Sequence, residues 1–151
     1  MSYTSADGRQ QILDELATAT EHLGVAVARL GEAYEALDEP TADRLEAELF
    51  RPLQAAYGTA QRTHSEFAAR YGAPPRSFGQ SSPGLPAAPR EELDRSSEEI
   101  RTADETIATL QDSMLPVEVG DPELRAGLSR VRELIGPLPD RARGIVRVLG
   151  R

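Results

Sequence analysis

The chain has 151 residues, enough for one domain with a core of its own. Its 25 acidic residues outnumber 17 basic ones, a net charge of −8 that argues against a surface built for nucleic acid. Trp and Cys are absent and aromatics make up 5%. That excludes disulfides, thiol catalysis and Cys-ligated metals, and favours thin helix–helix interfaces over a thick sheet core.

All 17 basic residues are Arg, with no Lys and no Asn anywhere, a bias that GC-rich codons explain as readily as phosphate recognition. No N-terminal apolar run reads as a signal peptide and no stretch approaches a membrane span, so the expected location is cytoplasmic. Charge is uneven: residues 1–120 carry a net −11 and residues 121–151 a net +3.

The first predicted helix starts near Asp7, which has capping-box spacing to Gln10, and stops before Pro40. Ile12, Leu16, Ala19, Leu23, Ala26, Leu30, Ala33 and Leu37 follow in steps of four and three, a sustained heptad seam. One side of that seam is leucine and the other a methyl group. Thr41 is the expected N-cap of a second helix reaching Tyr71, antiparallel to the first because the connection is short. Its apolar positions, Leu45, Leu49, Leu53, Ala56, Ala60, His64, Phe67 and Tyr71, drift toward an eleven-residue spacing. Pro52 deletes a backbone hydrogen bond, so a kink is expected near Leu49–Pro52.

Gly72 to Arg90 holds five Pro, three Gly and three Ser without any period, and reads as a linker. As a flexible coil it spans roughly 24 Å; as extended polyproline it reaches about 59 Å. Either length returns the chain to an end of the first hairpin, so topology stays open. A third helix begins at Pro89, with a seam of Leu93, Ser96, Ile100, Ala103, Ile107, Leu110 and Met114. Asp121 as N-cap and Pro122 at the first position restart the chain, and Leu124, Leu128, Val131 and Ile135 face inward. Gly136-Pro137 ends that helix and Asp140 caps a last short segment.

The expected fold is all-α, with antiparallel helical hairpins forming an elongated four-helix bundle or coiled coil plus a short C-terminal helix. Its parts are a hairpin over 1–71, a linker over 72–89, and a C-terminal segment over 90–151 that packs on the hairpin. "YEALD", Tyr34–Asp38, resembles the Tyr-x-x-x-Asp motif of small helical hairpins exported by specialised secretion systems of high-GC bacteria. Those hairpins carry a Trp-x-Gly turn, which a chain without Trp lacks, and their Tyr lies in a C-terminal tail. Membership therefore does not follow.

No motif names a reaction, and no catalytic, cofactor or metal residues are assigned. A di-iron bundle needs Glu-x-x-His, but Ala19 and Gln61 stand three residues before His22 and His64. Tyr57, His64 and Tyr71 are spaced by heptads beside Phe67, a stripe that either lines a small-molecule groove or forms the margin of the helix. In the C-terminal segment, Ala142, Ile145, Val146, Val148 and Leu149 share one arc, and Arg143, Arg147 and Arg151 lie opposite. Those three arginines are the candidate partner-binding residues. The expected function is a non-enzymatic adaptor or regulator that binds a protein, or a second copy as a dimer, through its heptad seams. The alternatives are a peripheral membrane protein acting through residues 140–151 and a small-ligand-binding bundle.

Overall fold

The leucine–alanine stripe forms one unbroken helix, α1 (Ser5–Glu35), in a computed structural model that describes residues 5–79 and 81–149. The remaining helices are α2 (Glu39–Leu45), α3 (Arg51–Arg70), α4 (Pro89–Asp112), α5 (Leu115–Val119), α6 (Pro122–Ile135) and α7 (Leu138–Leu149). The fold is all-α, with no strand among the described residues.

Every seam residue of α1 from Ile12 to Ala33 is buried, and so are those of α3 from Leu53 to Phe67 and of α6. Three expected seam positions are not. Leu37, the last of the α1 stripe, is half-buried because the helix ends at Glu35. Tyr71 is 37% exposed because it lies just beyond the end of α3. Met114 is 51% exposed and sits at φ 66°, because the chain leaves α4 at Asp112 and turns left-handed into α5. Burial of such stripes drives assembly at about 25 cal/mol per Å² of apolar surface.

Helix starts differ from expectation in three places, the first being Asp7, which lies in the first turn of α1 and not at its cap. Asp38, extended at φ −66° and ψ 160°, precedes α2, and Thr41 lies inside the helix. Pro40 fits that first turn because its missing N–H would have had no intrahelical partner there. Asp140 likewise falls in the first turn of α7, which begins at Leu138. Asp121 does cap α6, its carboxylate accepting from the Leu124 amide at 2.9 Å.

Pro52 produces a π-turn over Glu46–Phe50, in which the Arg51 amide donates to the Glu46 carbonyl. Widening the turn relieves the proline ring's clash with the preceding carbonyls. The Glu48 carbonyl, four residues before Pro52, has lost its usual amide donor. Arg141 of α7 donates to it at 3.0 Å.

Two antiparallel pairs make the bundle. Helix α4 runs along α1, the most extensive pairing in the molecule, with His22 bonded to Glu99 and Arg29 to Glu92, each at 2.7 Å. Between these rungs, the Ser96 hydroxyl donates to the Ala26 carbonyl at 3.1 Å. Helix α6 runs along α3, and α7 packs against α4, the π-turn and α2. Arg70 forks onto Asp121 at 2.8 and 2.9 Å, and Gly127 stands against Thr63. α1 and α3 are themselves antiparallel, since Tyr57 lies by Gly24 while Arg9 stacks on Tyr71.

This order leaves α4 running the same way as α3, so residues 73–88 must cross back along the bundle. Pro89 lies about 23 residues of α1 above Tyr71, or roughly 35 Å at ~1.5 Å per residue. That exceeds the coil span of the segment and falls well short of its extended length.

Leu23→Ala should cost about 2–5 kcal/mol in urea unfolding, since it opens a cavity in the α1 seam. A second expectation concerns the Arg70 fork. Burial pushes the Asp121 carboxyl up, but Arg70, the Leu124 amide and the Tyr71 hydroxyl outweigh it and hold the group below its ordinary value. A depressed carboxylate adds stability above its unfolded pKa and loses it as pH falls through the folded one. Asp121→Asn, which keeps a capping oxygen, should therefore cost about 1.5–3 kcal/mol at pH 7. Urea midpoints of the two proteins should converge only once pH drops below about 3.9.

Candidate ligand groove beneath the crossover

Small residues on α1 open space between α1 and α3. A Cβ on Gly24 would lie 2.8 Å from the Ser81 hydroxyl and 3.2 Å from the Tyr57 hydroxyl. Glycine at this position is what lets the crossover and Tyr57 both come down onto α1. Beside that contact, a cavity of about 370 Å³ is lined by Gly24, Val27, Ala28, Tyr57, Gln61, Phe78, Gly79 and Ser81. A second, also about 370 Å³, lies among Glu21, Val25, Tyr57, Arg76, Ser77, Phe78, Gly79, Ser81 and Ser82. Tyr57, Phe78, Gly79 and Ser81 line both, so the crossover partitions one groove.

The crossover is seated by few contacts. Arg76 reaches Glu21 at 3.2 Å and lies over the Phe78 ring, 5.2 Å from its centre. Phe78 meets His64 edge to face, with ring centres 5.3 Å apart. Beyond Ser82, Leu85 is 85% exposed. Burial raises the pKa of the Tyr57 hydroxyl, which keeps it a neutral hydrogen-bond donor in the groove.

The predicted Tyr57–His64–Tyr71 stripe does not converge. Tyr57 lines the groove, His64 is 3% exposed under Phe78, and Tyr71 packs on Phe67 with Arg9 over its ring. Desolvation, aided by the Arg76 charge, lowers the His64 pKa; the Leu13 backbone and the Asp14 carboxylate pull weakly the other way. Its Nδ1 has no hydrogen-bond partner. His22 instead bonds Glu99 in the α1–α4 interface. Among the described residues, no three His, Asp or Glu are grouped to hold a metal ion.

Two of the three C-terminal arginines, Arg143 and Arg147, lie on α7, which contributes no residue to the groove. Arg143 is exposed and paired with Asp140 one turn earlier, Arg147 is exposed, and Arg151 lies outside the described residues. On the opposite side of α7, Leu138, Ala142 and Ile145 are buried, and Val146 and Leu149 pack against the same core. Only Val148, 47% exposed, is left of the apolar arc. No helix among the described residues is long and apolar enough to cross a membrane. The arginine that sequence reasoning passed over is Arg141, and its signal was Pro52, which strips the Glu48 carbonyl of its donor.

The chain matches no protein-family model, no curated protein and no solved structure.

Since α7 is packed, Ile145→Ala should lower stability by about 2–5 kcal/mol. Arg147→Glu, at an exposed position, should stay within about 0.5 kcal/mol. Thermal and urea unfolding of the two variants would separate a core helix from a surface arm.

Proposed function

We propose that the protein is a non-enzymatic binding protein, and that its ligand site is the groove between α1 and α3 beneath the crossover. The observation that supports this is the divided cavity itself. It has two aromatic walls, Tyr57 and Phe78, and a floor of Gly24, Val27 and Ala28. Tyr57, Ser81 and Gln61 are the lining residues that carry side-chain polar groups. Ligand sites lie commonly between bundle helices, are mainly apolar, and hold a few polar groups that fix orientation, within about 300–1,000 Å³. The ligand class that fits is a small, largely uncharged, ring-bearing molecule with a hydrogen-bonding edge.

Binding through the heptad seams is less favoured, because the chain's own helices fill them. A partner helix would have to displace α4 from α1 before reaching any seam leucine. A membrane role for α7 meets the same difficulty, since its apolar arc is spent on the core.

At ~0.3 kcal/mol or better per non-hydrogen atom, a ligand of about a dozen such atoms binds at about millimolar or tighter. An NMR screen of neutral aromatic fragments suits that range. Amide shifts should cluster at Gly24, Ala28, Gln61 and Ser81, and Ala28→Phe, which fills the cavity from α1, should abolish them. Shifts scattered elsewhere, or unaffected by Ala28→Phe, would refute the groove.

A further inference from the structure

We propose that His64 and Phe78 form a proton-sensitive latch, so that protonation of His64 lifts the crossover off the groove. His64 is held from three sides: by its own helix α3, by α1, and by the crossover. The charged groups bearing on the ring are Arg76 from the crossover and Asp14 from α1. A neutral ring tolerates this place, because an unprotonated Nδ1 needs no acceptor. The protonated ring gains a second N–H, and no hydrogen-bond partner stands at Nδ1. The Leu13 backbone already partners the ring, but the N–H added at Nδ1 finds no acceptor, and a buried charge left so is costly.

Phe78 does little to offset that cost, since its ring already carries the Arg76 guanidinium on its face. Arg76 also repels the new charge. The least costly relief is for Nδ1 to reach water, and the element that yields is the one most weakly held. Helix α3 is packed against both α1 and α6. Among its described residues the crossover has no regular structure, and the one ion pair that ties them to the helices, Arg76–Glu21, joins two exposed side chains. Ions so placed contribute about 0–1 kcal/mol.

The direction with pH follows from linkage. In the open form His64 regains an ordinary pKa near ~6.5, above its value in the closed form. The open form therefore binds more protons between the two values, and falling pH favours it. The same movement removes Phe78 and Ser81 from the groove wall. That consequence rests on the proposed ligand site, whereas the opening itself does not.

A chain without Trp allows a direct test. Emission of the Phe78→Trp protein, with no ligand present, should shift to the red as pH falls below about 6.5 while far-ultraviolet helicity stays constant. The shift should vanish with His64→Gln and survive His22→Gln. In the unsubstituted protein, the Gly79 and Ser81 amide resonances should move with the His64 ring titration and not with that of His22. An emission constant down to global unfolding, a shift that survives His64→Gln, or amides that follow His22 would overturn the latch. Failure of the fragment screen would leave these readouts unaffected, so the two proposals fail separately.

Discussion

The hydrogen bond from the Ser96 hydroxyl to the Ala26 carbonyl shows how close α1 and α4 come. A serine reaches a neighbouring helix backbone only where the facing side chain is no larger than a methyl. Ala19, Ala26 and Ala33 provide that side of α1, and Ser96 and Ala103 return it from α4. Leucines fill the flank: Leu16, Leu23 and Leu30 against Leu93, Ile100 and Ile107. The same logic governs the second pair, where the Cβ position of Gly127 lies 2.3 Å from the Thr63 hydroxyl. Thin contacts of this kind explain how a chain with 5% aromatics still closes a continuous core.

Close approach alone does not set register, because a heptad stripe of leucine and alanine looks the same after a slip of seven residues. The polar rungs break that degeneracy. In the observed pairing Arg29 meets Glu92 and His22 meets Glu99, one heptad apart on both helices. Sliding α4 by one heptad in one direction sets Arg29 against Glu99 and leaves Glu92, wholly buried here, without a counter-charge. Sliding it the other way sets His22 against Glu92 and strands Arg29. Removing one partner of a buried pair costs about 3–5 kcal/mol. The Arg70 fork on Asp121 does the same for α3 against α6, at a carboxylate that is also the cap of α6.

Much of this was legible in the residues, and what was not has identifiable causes. The α1 and α4 seams and the Asp121 cap follow from periodicity and local hydrogen bonding, which act within a few residues. Thr41 failed as a cap because Pro40 tolerates a helical first turn as well as it ends a preceding helix. Leu37, Tyr71 and Met114 continue a heptad on paper, but the helices stop before them, and periodicity carries no stop signal. The Tyr57–His64–Tyr71 stripe was visible as spacing, but whether its members share a site depends on a non-periodic segment laid over one of them. Arg141 was hidden for a related reason: the carbonyl it satisfies lies 93 residues away.

The crossover follows from the pairing of helices and is no independent feature of the sequence. Once α4 lies antiparallel to α1, its first residue stands at the end of the bundle opposite Tyr71, and the chain must travel back over the helices. It does so across α1 and α3, where Gly24 leaves room for Ser81 and Tyr57. Its path is longer than a relaxed coil of that length and shorter than an extended one, so it is neither taut nor free. A segment with that slack can rest on His64 through a single aromatic contact and still lift without unthreading any helix. The groove and its cover are thus consequences of one topological choice, made where α4 takes α1 as its partner.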